Sequence, residues 1–261
     1  MKTLLPVLLL LMLALAACRP IAPAGPMQYG TVNLRIQSFV DSNLLDTGKV
    51  AKDATGRRYK LKIAQFYFCG IVLRNTNGNA YPFTGFYGLN KPASQLYVIG
   101  SVPVGTYSST TFSVGLDAQT NSINPNTYPL GVGNPLALQT PPMWFGSTSQ
   151  GYIFMNVQGS ADTTAAHNGP CNYPFSYQTG GFLLDRGVDI ISPIIAGVGL
   201  SGYTVYPNQT YVVNIKADFG VLLQGINFQT QNSANPYSTI PAVKALATQV
   251  ANNIPSMFSY Q

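Results

Sequence analysis

The chain has 261 residues, a formal charge of +6, only 8% charged residues and no glutamate, so its positive balance reflects a shortage of acids. That length suits one domain of sandwich size, and the abundant Tyr, Phe, Gly, Pro, Asn, Thr and Ser suit an extracytoplasmic β protein of many short strands. This profile argues against a nucleic-acid surface, which needs a basic stripe interleaved with stacking aromatics. The basic residues Arg35, Lys49, Lys52, Arg57, Arg58, Lys60 and Lys62 cluster in the first quarter and read as a solvated face. Attraction to an anionic membrane surface is the natural use of such a patch.

Residues 1–17 have the form of a secretory signal: Met1-Lys2, an apolar run from Leu4 to Ala14, then Leu15-Ala16-Ala17. Followed by Cys18, that ending also has the form of a bacterial lipobox, cleaved before Cys18 and lipidated on its thiol. Ordinary signal cleavage, leaving Cys18 as a thiol, is the alternative. Arg19 in place of an aspartate after the cysteine favours the outer membrane. A lipid would anchor the chain there without making it span. Residues 18–28 read as the lipidated cysteine and a proline-stiffened tether, and 29–261 as one β domain.

In that domain Val32, Leu34 and Ile36 alternate with Asn33, Arg35 and Gln37, which predicts a half-buried strand over Tyr29–Phe39. After the Asp53-Ala54-Thr55-Gly56 turn, Tyr59–Leu73 reads as two strands or one bent at Gly70. Asn75-Thr76-Asn77-Gly78 signals a turn, Gln95–Ile99 another strand, and Thr111–Gly115 a strand ending at Leu116-Asp117. Tyr152–Val157, Phe182–Leu184, Val188–Ile191 and Tyr211–Ala217 follow as strands. Val243, Leu246 and Val250, behind Pro241, predict a helix over Pro241–Asn253. The expected fold is all-β: a single antiparallel β-sandwich-like domain with long loops and one short C-terminal helix.

Between the strands ending at Asp117 and starting at Tyr152 lies a long loop carrying the one tryptophan, Trp144, beside Met143 and Phe145. A loop of that length inside a compact domain is usually functional or disordered. Trp144 reads either as an exposed functional aromatic or as a cap on a core edge. Asp117 and Asn121 are expected to shape the turn after their strand. With Cys18 assigned to lipid, Cys69 and Cys171 are expected to form a disulfide in an oxidising compartment, worth up to ~4.7 kcal/mol in the chain-entropy model. Soft copper ligands are the other use of two cysteines, but no adjacent His or Met spacing supports it. The single histidine, His167, has no Gly-x-Ser-x-Gly to work with, and an acid pair among the eight aspartates is conceivable but has no signature, so no enzyme activity is expected.

Several segments carry a family resemblance. "FSVGLDAQTN" followed by "NPLAL…PPMWF…QGYIFMNVQG" resembles the MbnP-like proteins, a methanobactin-associated, copper-linked bacterial family. "YKLKIAQFYFCGIVLRNTNG", "VPVGTYSSTTFSVGLD", "VNIKADFGVLLQG" and "ALATQVANNIPSMF" are similar to further family segments in the same order, so the resemblance covers nearly all of the chain after the tether. It implies a β-sandwich-like fold and a link to copper handling. It implies copper ligands at Met143 and Trp144, with His167 the remaining candidate. Where many members carry a histidine, this chain reads Phe175-Ser176-Tyr177-Gln178-Thr179-Gly180, and Gln178 is a poor copper ligand. The expectation is therefore an outer-membrane-anchored lipoprotein that binds a ligand or partner protein, in the periplasm or at the surface, with a degenerate copper site. A structural or adhesive surface lipoprotein, gripping glycan or protein through aromatic loops without metal, is the alternative.

Overall fold

A computed structural model describes residues 26–40, 42–92, 95–129, 133–181, 186–191 and 202–261. The expected lipobox at Cys18 and the expected strand at Phe182–Leu184 lie outside these residues. Among the described residues fourteen strands run in chain order as β1 (Tyr29–Val40), β2 (Asn43–Leu44), β3 (Val50–Lys52), β4 (Arg58–Asn75), β5 (Ala80–Asn90), β6 (Gln95–Pro103) and β7 (Gly105–Val114). They continue as β8 (Ile153–Ala161), β9 (Tyr173–Gly180), β10 (Arg186–Ile191), β11 (Tyr203–Val205), β12 (Thr210–Asp218), β13 (Ser233–Ala234) and β14 (Phe258–Tyr260). Three helices are added: α1 (Ala118–Asn121), α2 (Phe219–Leu222) and α3 (Pro241–Asn253). The C-terminal helix matches its expected bounds; the two four-residue helices were not anticipated.

The strands form two open sheets, which makes the domain mostly β and sandwich-like. The first holds five strands, with β1 at its middle between β12 and β6. Its β1–β12 pair is parallel over Thr31–Phe39, so the expected antiparallel arrangement is not universal. The second sheet holds nine strands around β4. Along one edge of β4 lie β8 and then β7, and along the other β3 and then β5. Alternation sends Val32, Leu34, Ile36, Val213 and Ile215 from the first sheet against Phe66, Phe68, Met155, Val157 and Tyr177 from the second, all buried. α3 packs on β9 and β13 at one side of the second sheet and joins the core through Leu246, Ala247, Val250 and Ala251, while Val243 is only half-buried.

β4 explains the ambiguity at Gly70. The strand runs on through it, but Gly70 takes φ +63° and the register shifts between Cys69 and Ile71. A glycine bulge supplies the bend without a break, because residues with a Cβ rarely adopt that conformation.

The same strand overturns the expected Cys69–Cys171 disulfide, which is not formed. Cys69 lies opposite Tyr87 and Ser113. Cys171 sits beside Ser160, whose partner on β4 is Lys60, and its carbonyl accepts from Ser160 Oγ at 2.8 Å. Nine extended residues separate Lys60 from Cys69, roughly 30 Å. A disulfide needs Cα atoms within about 7 Å.

Candidate functional site

The long loop before β8 folds down on the outer face of the second sheet and builds a second, smaller core. Tyr67, Leu89, Leu116, Leu136, Met143, Tyr152, Ile153 and Phe154 make it up. Its backbone is satisfied by side chains rising from the strands. Tyr67 Oη donates to the Pro135 carbonyl (2.7 Å) and Tyr152 Oη to the Leu136 carbonyl (2.8 Å). Gln65 Nε2 reaches the Pro141 carbonyl (3.3 Å) and Asn156 Nδ2 the Pro142 carbonyl (3.1 Å). Each tyrosine thus delivers an apolar ring and a donor together, which lets an irregular segment be buried. Asp117 caps α1 by accepting from Thr120 N–H (2.9 Å), and its other oxygen accepts from Tyr87 Oη (2.7 Å). Burial works against the Asp117 carboxylate, but these donors outweigh it and hold its pKa below the usual value. Asn121, buried one turn on, accepts from Tyr152 N–H at 2.7 Å.

Within that core Met143 is 1% exposed, its thioether packed among apolar side chains. Trp144 is half-buried at the rim, edge-on to Tyr152 with ring centres 4.9 Å apart. Trp144 therefore caps a core edge. Gln178 stands on β9 directly opposite Asn156, which in turn is opposite Gln65 on β4. Where the family resemblance implies an imidazole, this chain has a row of three carboxamides.

His167 is elsewhere. It follows β8, whereas Met143 and Trp144 precede it, and the strand between spans on the order of 25 Å. His167 Nε2 lies 2.8 Å from Arg57 Nη2, and Nδ1 lies 3.1 Å from the Thr55 carbonyl oxygen. A guanidinium only donates, so Nε2 is the acceptor and Nδ1 carries the proton. The ring's lone pair is thereby occupied. Indole nitrogen offers no lone pair for a metal in its ordinary form. Among the described residues no three His, Cys, Asp or Glu side chains stand together as a metal set. Met143, Trp144 and His167 do not fit the copper centre that the family resemblance implies.

The Arg57 end has a geometry the sequence did not disclose. Arg57 was expected on a solvated face, but it is 8% exposed. Its Nη1 donates to the Asp162 carbonyl (2.6 Å) while Asp53 Oδ1 accepts from its backbone N–H (2.9 Å). Beside it the Asp162 carboxylate is fully buried and accepts from the N–H groups of Thr164 (2.8 Å) and Gly169 (2.7 Å). Burial would raise its pKa; the Thr164 and Gly169 donors and the Arg57 charge together lower it. The Asp53–Gly56 pattern marked a turn here, but nothing in the charge pattern separated Arg57 from its exposed neighbours. These contacts bolt the β3–β4 turn to the β8–β9 loop. Facing that wall across a cleft of about 740 Å³ are residues Gly220–Asn227, which follow β12.

The MbnP family model matches residues 29–240. Among solved structures, MbnP from Methylosinus trichosporium is similar to this chain at 13% identity, with 89% of this chain and 98% of that one covered and a TM-score of 0.54. At that identity the likeness speaks for the fold alone. No curated protein matches. With a matching family model spanning well over half the chain and a shared sandwich, this protein belongs to the MbnP family.

Proposed function

We propose that the chain is an extracytoplasmic, non-enzymatic binding protein, held at the outer membrane by a lipid on Cys18, that has kept the MbnP scaffold without a working copper centre. The observation that carries this reading is the separation of its ligand candidates: His167 is engaged by Arg57 and Thr55 at one end of β8, and Met143 and Trp144 are packed at the other. What remains for function is the framework and the surfaces it holds open, with a periplasmic or surface partner as the user of the bound ligand. Among the described residues the His167 ring is held by Arg57 and the Thr55 carbonyl, with no nucleophile hydrogen-bonded to it, which supports a binding role over a catalytic one.

The test is metal content. Residues 19–261, exported to the periplasm of cells grown with added copper, are dialysed and analysed by mass spectrometry. Copper-free protein with unmodified Trp144 is expected. A stoichiometric copper that survives dialysis and is lost on Trp144→Phe or His167→Ala would overturn the reading.

A further inference from the structure

The cleft between the β3–β4 hairpin and residues Gly220–Asn227 has the size of pockets that take small organic ligands, roughly 300–1,000 Å³. Its apolar side is made by the buried residues Tyr59, Leu223 and Ile226. Its polar side carries two cations, Lys52 and Arg57, against one carboxylate, Asp53. The Lys52 side chain is exposed at the mouth, and Arg57 and His167 line the same wall. Asp53 also lines it, but Asp53 Oδ1 already accepts from Thr55 N–H (2.8 Å), Thr55 Oγ1 (2.7 Å) and Arg57 N–H (2.9 Å). The Asp162 carboxylate faces Arg57 from behind the wall, where it is fully buried and satisfied by Thr164 and Gly169.

Two further features suggest a wall built to meet something. His167 holds a left-handed backbone, φ +54°, uncommon for a residue with a Cβ and kept only where the surroundings over-determine it. The Arg57–His167–Thr55 contacts tie two loops into one rigid surface, which lowers the ordering cost of binding.

We propose that this cleft binds a small organic carboxylate with an apolar body. The anion lies against the Lys52 and Arg57 charges, with His167 holding the Arg57 guanidinium in place, and the body rests on Tyr59, Leu223 and Ile226. The assignment builds on the reading of the chain as a binding protein and names the class of its ligand.

The experiment uses the purified chain with EDTA present, and anilinonaphthalene sulfonate as a fluorescent anionic probe. Saturable one-to-one binding is expected. Phenylbutyrate should displace the probe about tenfold more effectively than its neutral amide, the margin of a charge-assisted hydrogen bond. Lys52→Glu, at an exposed position that leaves the thermal midpoint unchanged, should weaken probe and phenylbutyrate by about two- to fivefold. Equal displacement by acid and amide, no saturable binding, or unchanged affinity in Lys52→Glu would each overturn the assignment. Copper retained in the metal experiment would sink the proposed function and leave this readout untouched. Lost charge discrimination here would remove only the cleft's ligand.

Discussion

Arg57 Nη2 donates to His167 Nε2 across 2.8 Å, and His167 Nδ1 donates onward to the Thr55 carbonyl at 3.1 Å. One imidazole on the β8–β9 loop thus bridges a nearly buried guanidinium and a backbone carbonyl that both belong to the β3–β4 turn. The role is structural, and it has a measurable consequence. Removing the ring in His167→Ala leaves a charged donor without its acceptor. A loss of about 1.5–3 kcal/mol is expected for a bond to a charged group, read as a lowered urea midpoint. A metal ligand would instead reveal itself by metal-dependent stability in the parent chain.

Asn121 makes the second wager. Its Oδ1 takes the Tyr152 N–H at 2.7 Å in a setting where both residues are buried. Gly151, between α1 and Tyr152, has φ +75°, and a Cβ there would collide with the Asn121 amide. Asn121→Ala should therefore cost roughly 1–3 kcal/mol, the penalty for an orphaned buried donor. Trp144 packs on Tyr152, so its fluorescence should shift to the red in this variant while the far-ultraviolet circular dichroism stays unchanged.

The tyrosines set an alkaline limit. Burial pushes the hydroxyls of Tyr67, Tyr97, Tyr152, Tyr177, Tyr203 and Tyr211 well above the usual value of 10.0, and that of Tyr107 up to about 12. Below pH 10 these groups are neutral folded or unfolded, and their contribution is fully present. As pH rises from 10 toward 12 the unfolded chain releases protons that the folded chain keeps, so stability falls. Phenolate absorbance from these residues should appear together with loss of the folded circular dichroism. A smooth titration near 10.0, with the fold intact, would contradict their burial.

Asp162 sets the acid side. Its pKa is lowered from 3.8, so its stabilising contribution is present above that value. As pH falls below it, the unfolded chain takes up a proton that the folded chain resists, and the contribution is lost as the pH passes the folded value. Asp162→Asn should flatten the acid limb of the stability curve. If the limb is as steep as in the parent chain, the Thr164 and Gly169 donors are not holding an ionised carboxylate.

Strong alternation made much of the framework legible. Val32, Leu34 and Ile36 foretold the inner face of β1, and the spacing of Leu246 and Val250 gave the buried side of α3. β5 was missed because Pro82, Gly85 and Gly88 interrupt its pattern, although the strand pairs with β4 throughout most of its length. The β1–β12 partnership was invisible, since pairing between residues 31 and 210 leaves no local mark. At the candidate sites, local spacing exposed Trp144 and His167 as unusual residues. It could not reveal that β8 holds them apart, or that Arg57, one of several clustered cations, is the one turned inward.

That long-range partnership also constrains when the protein can take shape. β1 is among the first parts of the domain to be synthesised, yet one of its edges stays unmatched until β12 follows. The hairpin-linked β4 and β5, with β7 soon after, can assemble early from near neighbours. The first sheet must wait for nearly the whole polypeptide. An apolar strand left open for that interval is exposed to pairing with other chains, and contacts so distant in sequence form slowly. Overproduction should therefore strain the partially made chain before it strains the finished one, and the shielding of β1 becomes a matter of timing.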